Sequence, residues 1–241
     1  MRATLAAAME YNTSQRSVSE FIGSFALTFI GAGSVLTVDG IIGSNNVGLL
    51  TIALAHGLVL AIFVTALGHV SGGHFNPAVT LGFVVTRRIS GTMALAYWAA
   101  QFIGGIAAAA CLRLVFDDRI ADGLNLGAPS LGEFTNVGEG FVLEIIMTFF
   151  LVFVVFATAV DPKGAFKMVA GFAIGLTIAV DIIVGGPMTG AAMNPQRAFG
   201  PMIMSWTWPS EAWIYLVAPA IGGVLAALTY HHMFLRGKTD A

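Results

Sequence analysis

Charge is what this sequence has least of. Only 10% of its 241 residues are Asp, Glu, Lys or Arg, against about 25% in a soluble domain. The few charges nearly cancel, at a formal −2, so no basic surface exists for nucleic acid. A single cysteine, Cys111, excludes an internal disulfide, and its place in an apolar run marks it as a small packing residue. A metal site is lacking too: His69 and His74 would not share a helix face, and no Cys or acid completes a ligand set. Nothing in the chain implies a cofactor. Met1 to Ser17 does not read as a signal peptide, because its apolar run "LAAAM" is shorter than the roughly 7–15 residues such a region needs. What the sequence has instead is apolar length. Hydrophobic residues make up 57% of it, which places it in a lipid bilayer.

Six runs approach the roughly 20 residues that span a membrane: 19–36, 49–68, 91–115, 138–159, 168–184 and 212–234. Two further apolar pieces, 76–85 and 194–204, are too short. About ten residues at 1.5 Å each cover half the hydrocarbon core. Both begin Asn-Pro: Asn76-Pro77-Ala78 and Asn194-Pro195-Gln196. Proline suits the first turn of a helix and Asn caps it from the preceding position, so each piece reads as a half-helix starting at mid-membrane.

The chain repeats itself. "EFIGSFALTF" at 20–29 matches "EIIMTFFLVF" at 144–153 in its Glu, Ile, Phe, Leu and Phe, and "NPAV" recurs as "NPQR". Each half, about 18–115 and 138–235 within one domain spanning 1–241, carries three spans and a half-helix. An odd number of spans inverts the second copy in the membrane, so the two half-helices enter from opposite faces. The expected fold is all-α: six transmembrane helices and two re-entrant half-helices in an inverted 3+3 repeat. Arg2, Arg16, Arg87, Arg88, Lys163, Lys167, Arg236 and Lys238 fall on one side, which makes both termini cytoplasmic. The acidic loop 116–137 is then external. The plasma (inner) membrane is the expected location.

Two helix N-termini meeting at the midplane each carry about half a positive charge. Asn76 and Asn194 add amide donors: the expectation is that each carbonyl oxygen caps its helix while the NH₂ faces a lumen. Neutral molecules can offer lone pairs there and cations are repelled. Backbone that is not helical is tolerated at this depth only where it lines a water-filled path. The glycines before each Asn-Pro (Gly72, Gly73; Gly185, Gly186, Gly190), with His74 and Ala192, are the candidates for pore-lining backbone. Glu20 and Glu144 occupy equivalent places in the repeat. A buried charge is seldom idle, and their symmetry favours bracing the irregular loop of each half.

"SGGHFNPAVT", a second Asn-Pro box followed by Arg197, and Glu at the start of the first and fourth spans resemble the aquaporin (major intrinsic protein) family over nearly the whole chain, from about Val18 to Leu235. The resemblance implies a homotetramer with one pore per subunit. It also implies a selectivity filter near the outer mouth at His56, Ile182, Ala191 and Arg197. That combination is similar to some plant tonoplast intrinsic proteins, which pass water and often ammonia, urea or hydrogen peroxide. "NPQRAFGP", with Ala198 after the Arg, lacks the Asp of glycerol facilitators. Gln196 departs from the family's alanine and puts packing and pore width at the midplane in question.

The function these readings favour is a passive channel, not an enzyme, for water and small neutral solutes. The alternative is an ion-coupled transporter of inverted-repeat architecture, with Glu20, Glu144 and Asp181 as coupling acids. Asp181 reads either as a hydrogen-bonded residue turned from the lumen or as a vestibule carboxylate. His56 reads either as a titrating filter group or as one bonded to backbone.

Overall fold

The computed structural model describes residues 11–43, 47–164 and 169–235. Among them there is no strand, and six helices are long and apolar enough to cross a membrane. In chain order the helices are α1 (Thr13–Val35), α2 (Gly48–Ser71), α3 (Pro77–Val85), α4 (Gly91–Val115), the short α5 (Asp118–Gly123), α6 (Val137–Val155), α7 (Ala170–Thr189), α8 (Pro195–Ser205) and α9 (Ile214–Tyr230). The helices α1, α6 and α9 run on in the wider π geometry for a further five to seven residues.

Local chemistry sets the helix starts. Asn12 with Gln15, and Asn136 with Glu139, form reciprocal capping boxes at α1 and α6. Ser90 caps α4 through a bond from the Met93 N–H. The half-helices α3 and α8 start with proline in the first turn behind an asparagine cap, as their sequences imply.

Packing obeys the repeat. At the centre α2 crosses α7 with Gly57 against Gly175, each so close that a Cβ would strike the other's carbonyl. To one side α4 meets α1 where Gly104 rests on the Phe21 carbonyl, and α9 meets α6 where Gly222 rests on the Ile145 carbonyl. The spacing that relates Glu20 to Glu144 relates Phe21 to Ile145. This is the inverted 3+3 arrangement, with α3 and α8 inserted between the helices from opposite ends.

The contacts also gather the ends of the helices. Tyr11 at the head of α1 stacks edge-on with His69 near the end of α2. Arg88, beyond α3, lies over Phe156 at the end of α6, and Tyr230 of α9 donates to Asp161. Arg88 and Lys163 therefore lie together near the ends of α3, α6 and α9, and Arg16 lies near the end of α2. Arg2, Lys167, Arg236, Lys238 and the start of the fifth run at Met168 lie outside the described residues.

One expectation changes. The break placed at Gly185-Gly186 is absent, because α7 stays helical to Thr189 with Pro187 inside it. Gly185 is instead a packing glycine, with the Met147 sulfur where a Cβ would stand. The loop 116–137 has structure of its own. It forms α5 and then a tight turn, Asn125–Gly127, that buries Leu126 completely.

Candidate functional site

Two irregular loops, 72–76 and 190–194, lead into α3 and α8. Their backbones match residue for residue. Gly72, Gly73 and Phe75 have φ of 95°, 65° and 47°; Gly190, Ala191 and Met193 have 76°, 45° and 51°. Left-handed φ at non-glycine residues costs about 1–3 kcal/mol each and needs surroundings that enforce it. The glutamates supply them. Glu20, fully buried on α1, accepts from the His74 and Phe75 N–H groups at 3.0 and 2.7 Å and from the Ser71 hydroxyl at 2.7 Å. Glu144, fully buried on α6, accepts from the Ala192 and Met193 N–H groups at 2.9 and 2.8 Å and from Thr189 at 2.7 Å. Each hydroxyl in turn accepts the N–H two residues on.

The halves differ in one respect. Gln101 of α4 adds a fourth bond to Glu20 and also reaches Thr80. The spacing that relates Asn76 to Asn194 relates Gln101 to Pro219, which has no donor to offer Glu144. The same spacing relates Tyr97 to Tyr215. The Tyr97 hydroxyl donates to the Ser71 carbonyl at 2.7 Å, whereas the Tyr215 hydroxyl is buried without a partner among the described residues.

So positioned, the two asparagines interlock. Asn76 Oδ1 accepts from the Ala78 N–H at 2.8 Å and its Nδ2 donates to the Met193 carbonyl at 2.9 Å. Asn194 Oδ1 accepts from the Gln196 N–H at 3.2 Å and its Nδ2 donates to the Phe75 carbonyl at 2.9 Å. Each amide thus caps its own half-helix and ties itself to the opposite loop. Its NH₂ has two hydrogens, so one remains free. Both asparagines border a narrow enclosed cavity of about 10 Å³, close to the least volume that holds one water. Gly73, His74 and Phe75 share its polar edge, and Leu27, Leu60, Val79, Leu151, Val155, Ile174 and Ile178 form its apolar wall.

Above it opens a vestibule of about 570 Å³ bordered by His56, Ile182, Gly190 and Arg197. Arg197 sits in the first turn of α8 and is 3% exposed. Its Nη1 donates to the Gly127 carbonyl at 2.9 Å, and its Nη2 lies 3.3 Å from His56 Nε2. His56 Nδ1 lies 2.9 Å from the Ile52 carbonyl. Position 31 has no Cβ, which leaves room for the His56 ring.

Several expected lining residues lie elsewhere. Ala191 borders neither cavity; its methyl packs with Met147 and Ile182 in the main apolar cluster. Gly72 borders neither and ends α2 as a left-handed cap that donates to the Gly68 carbonyl. Ala192 also borders neither and packs with Ala198, Met202 and Tyr215. Gln196 is fully buried and turned away from the lumen, toward Thr28, so it does not narrow the midplane cavity. Asp181 is turned from both cavities too, but its buried Oδ2 has no hydrogen-bond partner among the described residues. Sequence reasoning did not find Gly127, Gln101, Ser71 or Thr189. Ser71 and Thr189 were within reach of it, since both are hydroxyl residues five positions before an Asn-Pro box.

The description "Major intrinsic protein" belongs to the family model that matches residues 7–230. The chain belongs to the major intrinsic protein family. Relatives within it include the probable aquaporin TIP3-2 of Arabidopsis thaliana, 45% identical over 228 residues, covering 91% of this chain and 83% of that one. The aquaporin TIP1-2 of Musa acuminata is 41% identical over 234 residues, covering 95% and 90%. The fold is that of the aquaglyceroporin from Plasmodium falciparum, with a TM-score of 0.82 at 24% identity over 92% of this chain and 97% of that one.

Proposed function

We propose that this major intrinsic protein is a passive channel that conducts water through the midplane cavity. The observation that carries this reading is the interlock of Asn76 and Asn194. Each amide spends its oxygen on a helix cap and one N–H on the opposite loop, leaving one N–H for a molecule in the cavity. A water there accepts from the two amides while the apolar wall offers it nothing. The two helix N-termini, together about one positive charge, and the guanidinium of Arg197 oppose protons and other cations.

The vestibule residues His56, Ile182 and Arg197 act as the filter, with the Gly127 carbonyl fixing the arginine. Ile182 gives the rim no hydrogen-bonding group, so the solute range extends beyond water to ammonia, hydrogen peroxide and urea. Gly73, His74 and Gly190 contribute pore-lining backbone. The chain performs no chemistry on what it passes. It assembles as a homotetramer in a lipid bilayer, with both termini on the cytoplasmic side. Its relatives carry the TIP designation, which favours a tonoplast-type membrane over the plasma (inner) membrane expected from the sequence.

Ion-coupled transport fits the site less well. Glu20 and Glu144 are fully engaged in holding the loops, and Asp181 borders neither cavity, so none of these three acids is placed to bind and release a coupling ion. The test is stopped-flow light scattering on proteoliposomes. Water flow with a low activation energy, lost in Asn76→Asp with Asn194→Asp, is the expected result. Solute accumulation driven by an ion gradient would reverse the assignment.

A further inference from the structure

The second Asn-Pro box ends in Gln196, whose counterpart in the first box is Ala78. We propose that Gln196 is a positioning residue for the midplane donors, holding Asn194 in its conducting orientation through the Phe75 carbonyl. This rests on the reading of the cavity as a water path.

Gln196 makes three contacts that no alanine could make. Its Nε2 donates to the Phe75 carbonyl at 3.3 Å. Its Oε1 accepts from the Thr28 hydroxyl at 3.1 Å. Its side chain runs over Gly105 of α4, where a Cβ would overlap Oε1. The side chain is fully buried, so each of these polar atoms must find a partner within the protein. Thr28 and Gly105 match the glutamine. The spacing that relates Glu20 to Glu144 relates Thr28 to Val152, which has no hydroxyl. The first box thus has Ala78, with Val152 at the position equivalent to Thr28, where the second box has Gln196 with Thr28 itself.

The Phe75 carbonyl is the acceptor against which Asn194 is oriented. A carbonyl has two lone pairs, and here Asn194 takes one and Gln196 the other. The Met193 carbonyl, the equivalent acceptor for Asn76, receives that amide alone among the described residues. Phe75 is therefore fixed at three points: its N–H on Glu20, its ring in the space left by Gly23, and its carbonyl under Gln196. Gln196 also supplies the main-chain N–H that Asn194 Oδ1 caps. The same residue thus sets both ends of the Asn194 amide. Without the side-chain bond, the Phe75 carbonyl can turn to a passing water, and the amide loses its fixed partner.

The experiment compares Gln196→Met, which keeps the length but neither polar atom, with Thr28→Val and Thr28→Ser. The readouts are water permeability per reconstituted channel, its activation energy and proton leak, alongside thermal stability. Losing one orienting hydrogen bond predicts a fall of about three- to tenfold in water permeability for Gln196→Met, with a higher activation energy. Thr28→Val should move the same values less, and Thr28→Ser should restore them. Wild-type permeability and activation energy in a folded Gln196→Met would overturn the proposal, whatever its melting temperature. Should that variant not fold, unchanged values in Thr28→Val overturn it equally. A wild-type protein that passes no water refutes the channel reading instead.

Discussion

The guanidinium of Arg197 lies 3.3 Å from Nε2 of His56, whose Nδ1 lies 2.9 Å from the Ile52 carbonyl. A carbonyl only accepts and a guanidinium only donates. The ring must therefore carry its proton on Nδ1 and accept at Nε2, which is the neutral tautomer. A proton on Nε2 would set one N–H against another. Water permeability should accordingly stay flat from about pH 7.5 to about pH 5.5, the range in which a free imidazole titrates. A sigmoidal loss of flow centred in that range, abolished in His56→Gln, would show that the ring titrates after all.

The rim pairs one polar edge, His56, with an apolar one, Ile182. Exchanging their character by His56→Phe with Ile182→His should make the filter strict for water. Urea and hydrogen peroxide uptake should fall about tenfold or more, with water flow within about twofold of wild type. Equal urea and peroxide uptake in wild type and variant, measured with tracer and a peroxide dye, would place the selection elsewhere.

Glu144 satisfies two main-chain N–H groups that nothing else among the described residues reaches, and it also accepts from the Thr189 hydroxyl, whose other contact is the Gly185 carbonyl at 3.4 Å. Glu144→Ala should cost about 2–6 kcal/mol, since each buried unpaired donor costs about 1–3, and should abolish water flow because Met193 and Asn194 lose their placement. Glu144→Gln keeps one acceptor oxygen and should fall between. Thermal unfolding in detergent and proteoliposome shrinkage together check this. A Glu144→Ala protein as stable and conductive as wild type would remove the bracing role.

Gly127 has a φ of 70°, and a Cβ there would press on the backbone of Ala32. Gly127→Ala should displace the carbonyl that fixes Arg197. The expected result is a loss of about 1–3 kcal/mol in stability and greater proton leak, as the arginine is freed to move. Pyranine-loaded proteoliposomes measure the leak; an unchanged leak would separate Gly127 from cation exclusion.

The half-helices and their braces were legible in the sequence because they rest on local and periodic signals. Asn-Pro starts a helix wherever it sits, two pieces of about ten residues cannot span lipid, and a glutamate repeated in step with them has few tasks other than holding the adjoining loops. Hydropathy alone gave the six spans. The filter was legible only in part. His56, Ile182 and Arg197 border one vestibule, whereas Ala191 lies in the main apolar cluster.

The tertiary structure alone decided what depended on distance between chain segments. That Arg197 is held by a carbonyl 70 residues away follows from how the outer turn folds in around Leu126, and no local pattern encodes that path. That Gln196 points to Thr28 rather than into the lumen follows from the absence of a side chain at Gly105. Gly185 and Gly186 look like a break in the sequence, yet they stay helical, because in lipid an unbroken helix satisfies its own backbone and glycine lets Met147 pack close. The sequence determined which groups the site contains. Which of them face the lumen was set by close approaches of helices at glycines, where the partner surface rather than the residue itself fixes the direction of each side chain.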